Sequence, residues 1–293
     1  MLDLLPLWDF QRPDESETRF RALLPSVAAH PDDRSELLTQ IARAQGLQRR
    51  FDEAHATLDE AQELVAHAPG APGAARARVR CLLERARVLN SSGQPPRALP
   101  LFLRAFEAAQ AAGESYLAVD AAHMVAIVQP PEGQLAWNER AIALAEASGD
   151  ERTRGWLGSL LNNLAWAYHG CGEHARALEL FERTLTFRLA QGKPEPVRIA
   201  RWSLARELRA LGRTTEALEG QRVLAEELTA AGEKDGFVEE ELAECLLALG
   251  RPGEARPHFV RAHVLLAADP WLVEKEPERI ARLRELGSTS PGA

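Results

Sequence analysis

Cysteine is scarce in this chain of 293 residues: Cys81, Cys171 and Cys245 are widely spaced and odd in number. That excludes a disulfide framework and paired metal-ligand spacing. It fits small buried thiols in a reducing compartment, so the cytoplasm is the expected location. Aromatics make up only 6%, and 20 glycines and 18 prolines are too few for a fibrous chain. A basic excess is also missing, since 43 acidic residues against 35 basic ones leave a formal charge of -8. Phosphate backbones attract cationic surfaces, so no nucleic-acid partner is expected. No apolar run approaches the roughly 18 residues of a membrane helix, so no membrane partner is expected either. The opening MLDLLPLWDF has no basic segment and is broken by Asp3, Pro6 and Asp9, unlike a signal peptide. Phosphate-loop, nucleophile-elbow and HExxH sequences are all lacking, which leaves no expected enzyme activity and no cofactor. What remains, 45% hydrophobic and 27% charged, is the composition of a soluble folded protein.

What is present is a repeat. The segments SSGQPPRALPLF, HGCGEHARALEL, ALGRTTEALEGQ and ALGRPGEARPHF each place a glycine five residues before an alanine: Gly93 and Ala98, Gly172 and Ala177, Gly212 and Ala217, Gly250 and Ala255. QRRFDEAHATL adds Ala54, with Arg49 where the glycine would stand. The alanines are separated by 44, 79, 40 and 38 residues, and the long gap holds two units, with a degenerate one centred near Gln134. An independent column supports this register: twelve residues before each anchor stand Ala42, Ala86, Ala122, Ala165, Ala205 and Ala243. Seven residues after it come Ala61, Ala105, Ala141, Thr184, Leu224 and Ala262; four after it come Leu58, Phe102, Asn138, Phe181, Gln221 and Phe259. Each of the six units reads as two amphipathic helices around a turn, with no strand pattern. A second punctuation, AAGE (111–114), ASGD (147–150), AQGK (190–193) and AAGE (230–233), ends the second helix with a glycine.

The small residue in the first helix, the turn glycine, the alanine of the second helix and the aromatic four residues on resemble the tetratricopeptide repeat family over residues 35–267. LLNNLAWAYHGCGEHARALELFERTL and ELAECLLALGRPGEARPHFVRA carry the match best. Units of about 40 residues are longer than the usual 34. They look like the long-helix variants of kinesin light chains and bacterial regulatory superhelices. The resemblance implies an all-α, right-handed α-solenoid of six helix pairs and about fourteen helices. Residues 1–34 would form an N-terminal cap, with Asp14 or Ser16 as helix N-cap and Trp8 and Phe10 covering the first repeat. Residues 268–293 would hold an amphipathic helix, EPERIARLREL, after a DPWLV turn, and a disordered tail, GSTSPGA.

In the family the first helix of each pair lines a concave wall. The wall slots hold Gln40 and Arg43, then Glu84, Arg87 and Asn90, then Asp120 and His123. Further along come Asn162, Asn163, Trp166 and His169, then Trp202, Arg206 and Arg209, and last Glu240, Glu241 and Glu244. The plain alternative reading is a set of solvated helix faces. Aromatics pointing away from a core mark contact surfaces, which singles out Trp166 and Trp202, although Trp202 is equally suited to packing between repeats. Arg87 and Arg206 are fork donors for carboxylates, and adjacent asparagines suit an extended backbone. The lysine–asparagine carboxylate clamp of the family is absent, its first two units carrying Thr39 with Arg43 and Leu83 with Arg87. His169, Cys171 and His174 in HGCGEH have a spacing superficially like metal ligands, but the repeat turn accounts for Gly172, and no metal is expected. Glu84, Asp120 and His123 could in principle do acid–base work, though nothing constrains a substrate.

The expected function is therefore a non-enzymatic scaffold holding a protein or extended peptide in the concave groove. A peptide-responsive regulatory sensor acting on a separate effector chain is the alternative. An RNA-binding helical repeat would need a basic stripe throughout, which the acidic sixth unit lacks.

Overall fold

The computed structural model describes residues 4–71 and 73–288. It divides into two compact units, Met1–Leu160 and Leu161–Ala293. The first contains α1 (Pro13–Leu23), α2 (Pro31–Leu47), α3 (Phe51–His67), α4 (Ala74–Ser91), α5 (Pro95–Ala111), α6 (Ser115–Val128), α7 (Pro131–Ala147) and the single turn α8 (Glu151–Arg154). The division falls inside α9 (Leu157–Gly170). The second unit continues with α10 (His174–Gln191), α11 (Pro194–Ala210), α12 (Thr214–Ala230), α13 (Gly236–Ala248), α14 (Pro252–Leu266), α15 (Pro270–Lys275) and α16 (Pro277–Ser288). Among the described residues there are sixteen α-helices and no strand. The two beyond the expected fourteen are the short α8 and α15, the latter formed where DPWLV was read as a turn.

The repeat turns share one construction. The residue after each turn glycine donates its N–H to a carbonyl five residues back, at 2.9 Å in every case: Gln94 to Leu89, Glu173 to Tyr168, Arg213 to Leu208 and Arg251 to Leu246. This hydrogen bond requires a left-handed residue at the helix end, and Gly93, Gly172, Gly212 and Gly250 supply it with φ of 79°, 76°, 76° and 71°. The first turn keeps the same bond, Arg50 to Gln45 at 2.9 Å, but places Arg49 at φ 62°, the one non-glycine with positive φ among the described residues. The degenerate unit has no such turn. Pro130 blocks it, and Gln134 closes the gap by donating its side-chain amide to the Gln129 carbonyl at 3.0 Å. The second punctuation also varies: Gly113, Gly192 and Gly232 are left-handed, whereas at ASGD the turn is made by an extended Ser148, followed by Asp150, whose carboxylate caps α8.

All three columns read from the sequence are buried. Ala42, Ala86, Ala122, Ala165 and Ala243 are fully covered and Ala205 nearly so; Leu58, Phe102, Phe181 and Phe259 fill the wider gaps. Alanine is needed where helices approach closely, because any larger side chain would separate the backbones, while the phenylalanines restore close packing between turns. Asn138 and Gln221 occupy the aromatic column in their units and are equally buried.

The ends differ in detail from expectation. Neither Asp14 nor Ser16 caps α1, which starts at Pro13. Asp9 Oδ1 accepts from the N–H of Gln11 and Arg12 instead, and the Ser16 hydroxyl bridges back to the Asp9 backbone. Trp8 stacks on Phe10 with centroids 4.7 Å apart, meets buried Phe20 edge-on and donates its indole N–H to Gln40 at 3.0 Å. At the other end, Leu283 of α16 is fully buried in a cluster with Phe259, Leu266 and Leu272. Gly287 and Ser288, expected in the tail, belong to α16, while residues 289–293 lie outside the described residues. Gly287 lies against Val260, where a Cβ would come within 3.1 Å of the valine side chain, and its carbonyl accepts from Arg256. Of the three cysteines, Cys81 and Cys245 are buried, and burial pushes their thiols up to about 11 and about 12. Cys171 is exposed instead, because it sits in the loop between α9 and α10. No helix among the described residues is long and apolar enough to cross a membrane.

Candidate functional site

The wall slots fall on α2, α4 and α6 in the first unit and on α9, α11 and α13 in the second. In each unit they meet across neighbouring first helices.

In the first unit they form a closed charge cluster. Arg87 pairs with both Glu84 and Asp120, and all three side chains are largely or fully covered. Burial opposes the Arg87 charge, but the two carboxylates more than offset it and hold the guanidinium above its ordinary value. Burial likewise disfavours the Asp120 carboxylate, yet Arg87 and Arg43 keep it below its usual range. Arg43 is pushed the other way by burial and then by Arg87, with Glu84 and Asp120 opposing. Its guanidinium lies over Trp8 and Phe10 at 5.5 and 5.3 Å, so the N-terminal segment covers this slot. His123 packs on Trp156 at 5.4 Å; burial lowers its pKa, with Asp120 opposing and Arg87 assisting. Asn90 is half-buried near the end of α4.

The second unit carries a different arrangement. Trp166 on α9 meets buried Phe181 edge-on at 5.0 Å and lies 5.8 Å from Trp202 on α11. Arg206 sits over both indoles, 5.5 Å from Trp166 and 5.4 Å from Trp202, and keeps 32% of its side chain exposed. Trp202 also packs toward the next repeat, donating its indole N–H to the Phe237 carbonyl at 3.1 Å. Asn162 lies one turn before Trp166, on the same face of α9, and its buried Oδ1 has no hydrogen-bond partner. Asn163 beside it is half-buried.

The acidic α13 is not a free negative surface. Arg209 forks onto Glu241 at 2.9 and 2.7 Å; Arg279 of α16 grips Glu240 and Glu276, and Arg282 pairs with Glu244. These side chains, with Arg206, wall a cleft of about 340 Å³ in which four arginines face four glutamates. Two features had no reading in the sequence. A larger, mostly apolar cleft of about 1020 Å³ lies among α12, α13 and α14, with Val260 and Val264 exposed on its rim; their spacing of four on α14 was the available signal. The other is Glu207, fully buried on α11, which meets Nδ1 of His169 at 2.6 Å and Nδ1 of His174 at 2.7 Å.

A family model described as tetratricopeptide repeat matches residues 157–190, which span α9 and α10. No curated protein matches the chain. Among solved structures, a signal transduction ATPase with numerous domains and a tetratricopeptide repeat sensor, from Pyrococcus horikoshii, superposes with a TM-score of 0.71 at 15% identity. That likeness covers 92% of this chain and 41% of the other, so the chain spans well under half of that protein. BtubC from P. vanneervenii matches with a TM-score of 0.60 at 15% identity, over 80% of this chain and 94% of that one. Aspartyl phosphate phosphatase F from Bacillus subtilis matches with 0.59 at 12% identity, over 97% and 70%. At such identities the likeness is one of fold: an all-α helix-pair array of solenoid class. The family model adds a tetratricopeptide repeat at α9 and α10.

Proposed function

We propose that the chain is a non-enzymatic scaffold whose second unit holds an extended, acidic peptide segment of a partner protein across α9 and α11. The carrying observation is Arg206, held over Trp166 and Trp202 with a third of its side chain exposed. The rings fix the guanidinium before binding, so little rotamer entropy is lost when it forks onto a carboxylate. Asn162, with an unused buried acceptor one turn away, suits a backbone N–H. By contrast, Glu240 and Glu244 are occupied by the C-terminal helix, and Arg43, Arg87 and Asp120 by one another and the N-terminal segment. They shape the surface more than they contact a ligand.

Selection of a displayed random-peptide library on the full chain tests this. Acidic peptides are expected, and Arg206→Ala should weaken them at least about tenfold, equivalent to about 1.4 kcal/mol, with helicity unchanged. No enrichment, or peptides that bind Arg206→Ala equally well, would overturn the reading. The sensor alternative is favoured by the likeness to a structure carrying a tetratricopeptide repeat sensor. It additionally requires that bound peptide change amide exchange in helices remote from α9 and α11.

A further inference from the structure

We infer that His169, His174 and Glu207 form a binding site for one divalent transition-metal ion of the zinc type. The inference stands apart from peptide binding and rests on convergence, rigidity and charge. The three donor atoms lie within 4.8 Å of one another although they come from three helices. His169 ends α9 and His174 opens α10, and the left-handed turn at Gly172 fixes the two relative to each other. Glu207 is presented from the last turn of α11 and reaches both imidazoles.

Burial of Glu207 is the decisive feature. Its carboxylate is fully covered, and its ionic partners among the described residues are the two imidazoles, with no arginine or lysine. Every other buried glutamate or aspartate on these first helices meets a guanidinium, as Glu36, Glu84, Asp120, Glu240 and Glu241 do. A covered carboxylate with no permanently charged partner among the described residues is costly in a low-dielectric setting. A divalent ion bound by one oxygen and two ring nitrogens supplies such a partner.

The donor chemistry selects the ion. Two nitrogens and one carboxylate oxygen suit zinc and its neighbours, whereas calcium and magnesium demand shells of oxygen. Bond lengths of about 2.0–2.1 Å in a tetrahedron put donor atoms about 3.3 Å apart. The observed 2.6 and 2.7 Å must therefore open by less than about 1 Å, and the remaining pair, within 4.8 Å, must close by up to about 1.5 Å. Both rings can move this far, since His169 and His174 keep 25% and 33% of their side chains exposed. In the bound form each ring presents its Nδ1 lone pair to the ion and carries its proton on Nε2. The fourth position is left for water.

The test uses the tag-free full chain, stripped with chelator and titrated with zinc at pH 7.5 by calorimetry, with cobalt(II) absorption reporting the coordination geometry. One ion per chain is expected, with a visible tetrahedral cobalt band and a raised melting temperature. His174→Ala and, as a second variant, Glu207→Gln should each weaken binding by at least about tenfold and abolish the zinc-dependent rise in melting. His174 is a third exposed at a helix start, so its variant keeps the fold, and helicity checks this. If the wild-type chain takes up no zinc, or His174→Ala binds it equally well, the three side chains are a hydrogen-bonded clamp and no metal site.

Discussion

The slots of α4 and α6 and those of α9 and α11 occupy the same places in their repeats, yet they solve different problems. In the first unit, Arg87, Glu84 and Asp120 are buried together, and their charges balance within the cluster. In the second, Arg206 lies on aromatic rings and remains a third exposed. A buried ion pair is costly to break but offers nothing to a ligand, because each charge is already matched. A stacked, half-open arginine contributes little to stability and, apart from the 3.9 Å approach of its Nε to Glu241, keeps its donors toward solvent. The same helix face thus carries mutually matched, buried charges in one unit and a partly exposed, ring-stacked arginine in the other.

Removing residues 271–293 should have the largest effect and should separate the two units. It deletes Leu272, Leu283, Arg279 and Arg282, exposing Phe259 and leaving Glu240 and Glu244 unpaired. Each lost apolar side chain is worth roughly 1.5–3 kcal/mol. Hydrogen exchange should show α13 and α14 deprotected while α2–α6 keep their protection. Uniform deprotection would mean that the units unfold as one.

Asp120→Ala comes next. It leaves Arg87 and Arg43 short of a buried counter-charge, and breaking such a pair costs about 3–5 kcal/mol. Arg206→Ala should cost about 1 kcal/mol or less, the value of a partly exposed cation–π contact. Urea midpoints of the two variants measure the contrast, and equal losses would erase it.

A smaller effect concerns pH. Burial lowers the His123 pKa, so the folded state favours the neutral ring. Below the ordinary value near 6.5 the unfolded chain binds the proton more readily, and stability falls with pH. The melting temperature should drop between pH 7 and pH 5, and drop less in His123→Gln.

The smallest expected change is a gain. Arg49 holds the left-handed conformation that glycine holds in four other turns. Releasing that strain is worth about 1–2 kcal/mol, less about 0.5–1 kcal/mol for the freer unfolded glycine. Arg49→Gly should therefore raise the melting temperature slightly, and a fall would show that the Arg49 side chain contributes.

The repeat was legible because it is local. A glycine at a helix end, an alanine where helices touch and an aromatic one turn on each answer to backbone geometry within about 40 residues; the glycines proved left-handed and the alanine and aromatic columns buried. The degenerate unit at Gln134 could be placed only by counting, since Pro130 removes the glycine turn that marks the others. The slots on the first helices were legible as positions, because helical periodicity places them on one face. Their partners were not. Glu240 reads as an exposed acid until Arg279, 39 residues away, covers it, and Trp8 reads as a cap until it is seen under Arg43. Sequence by itself determined that this chain builds helix pairs and where each one turns, since propensity, punctuation and apolar period act over neighbouring residues. Tertiary structure alone decided which charges are spent internally, which arginine stays open, and that a buried glutamate from α11 would meet two histidines of the α9–α10 turn. Those outcomes depend on distances between residues more than 30 positions apart, and no local pattern encodes them.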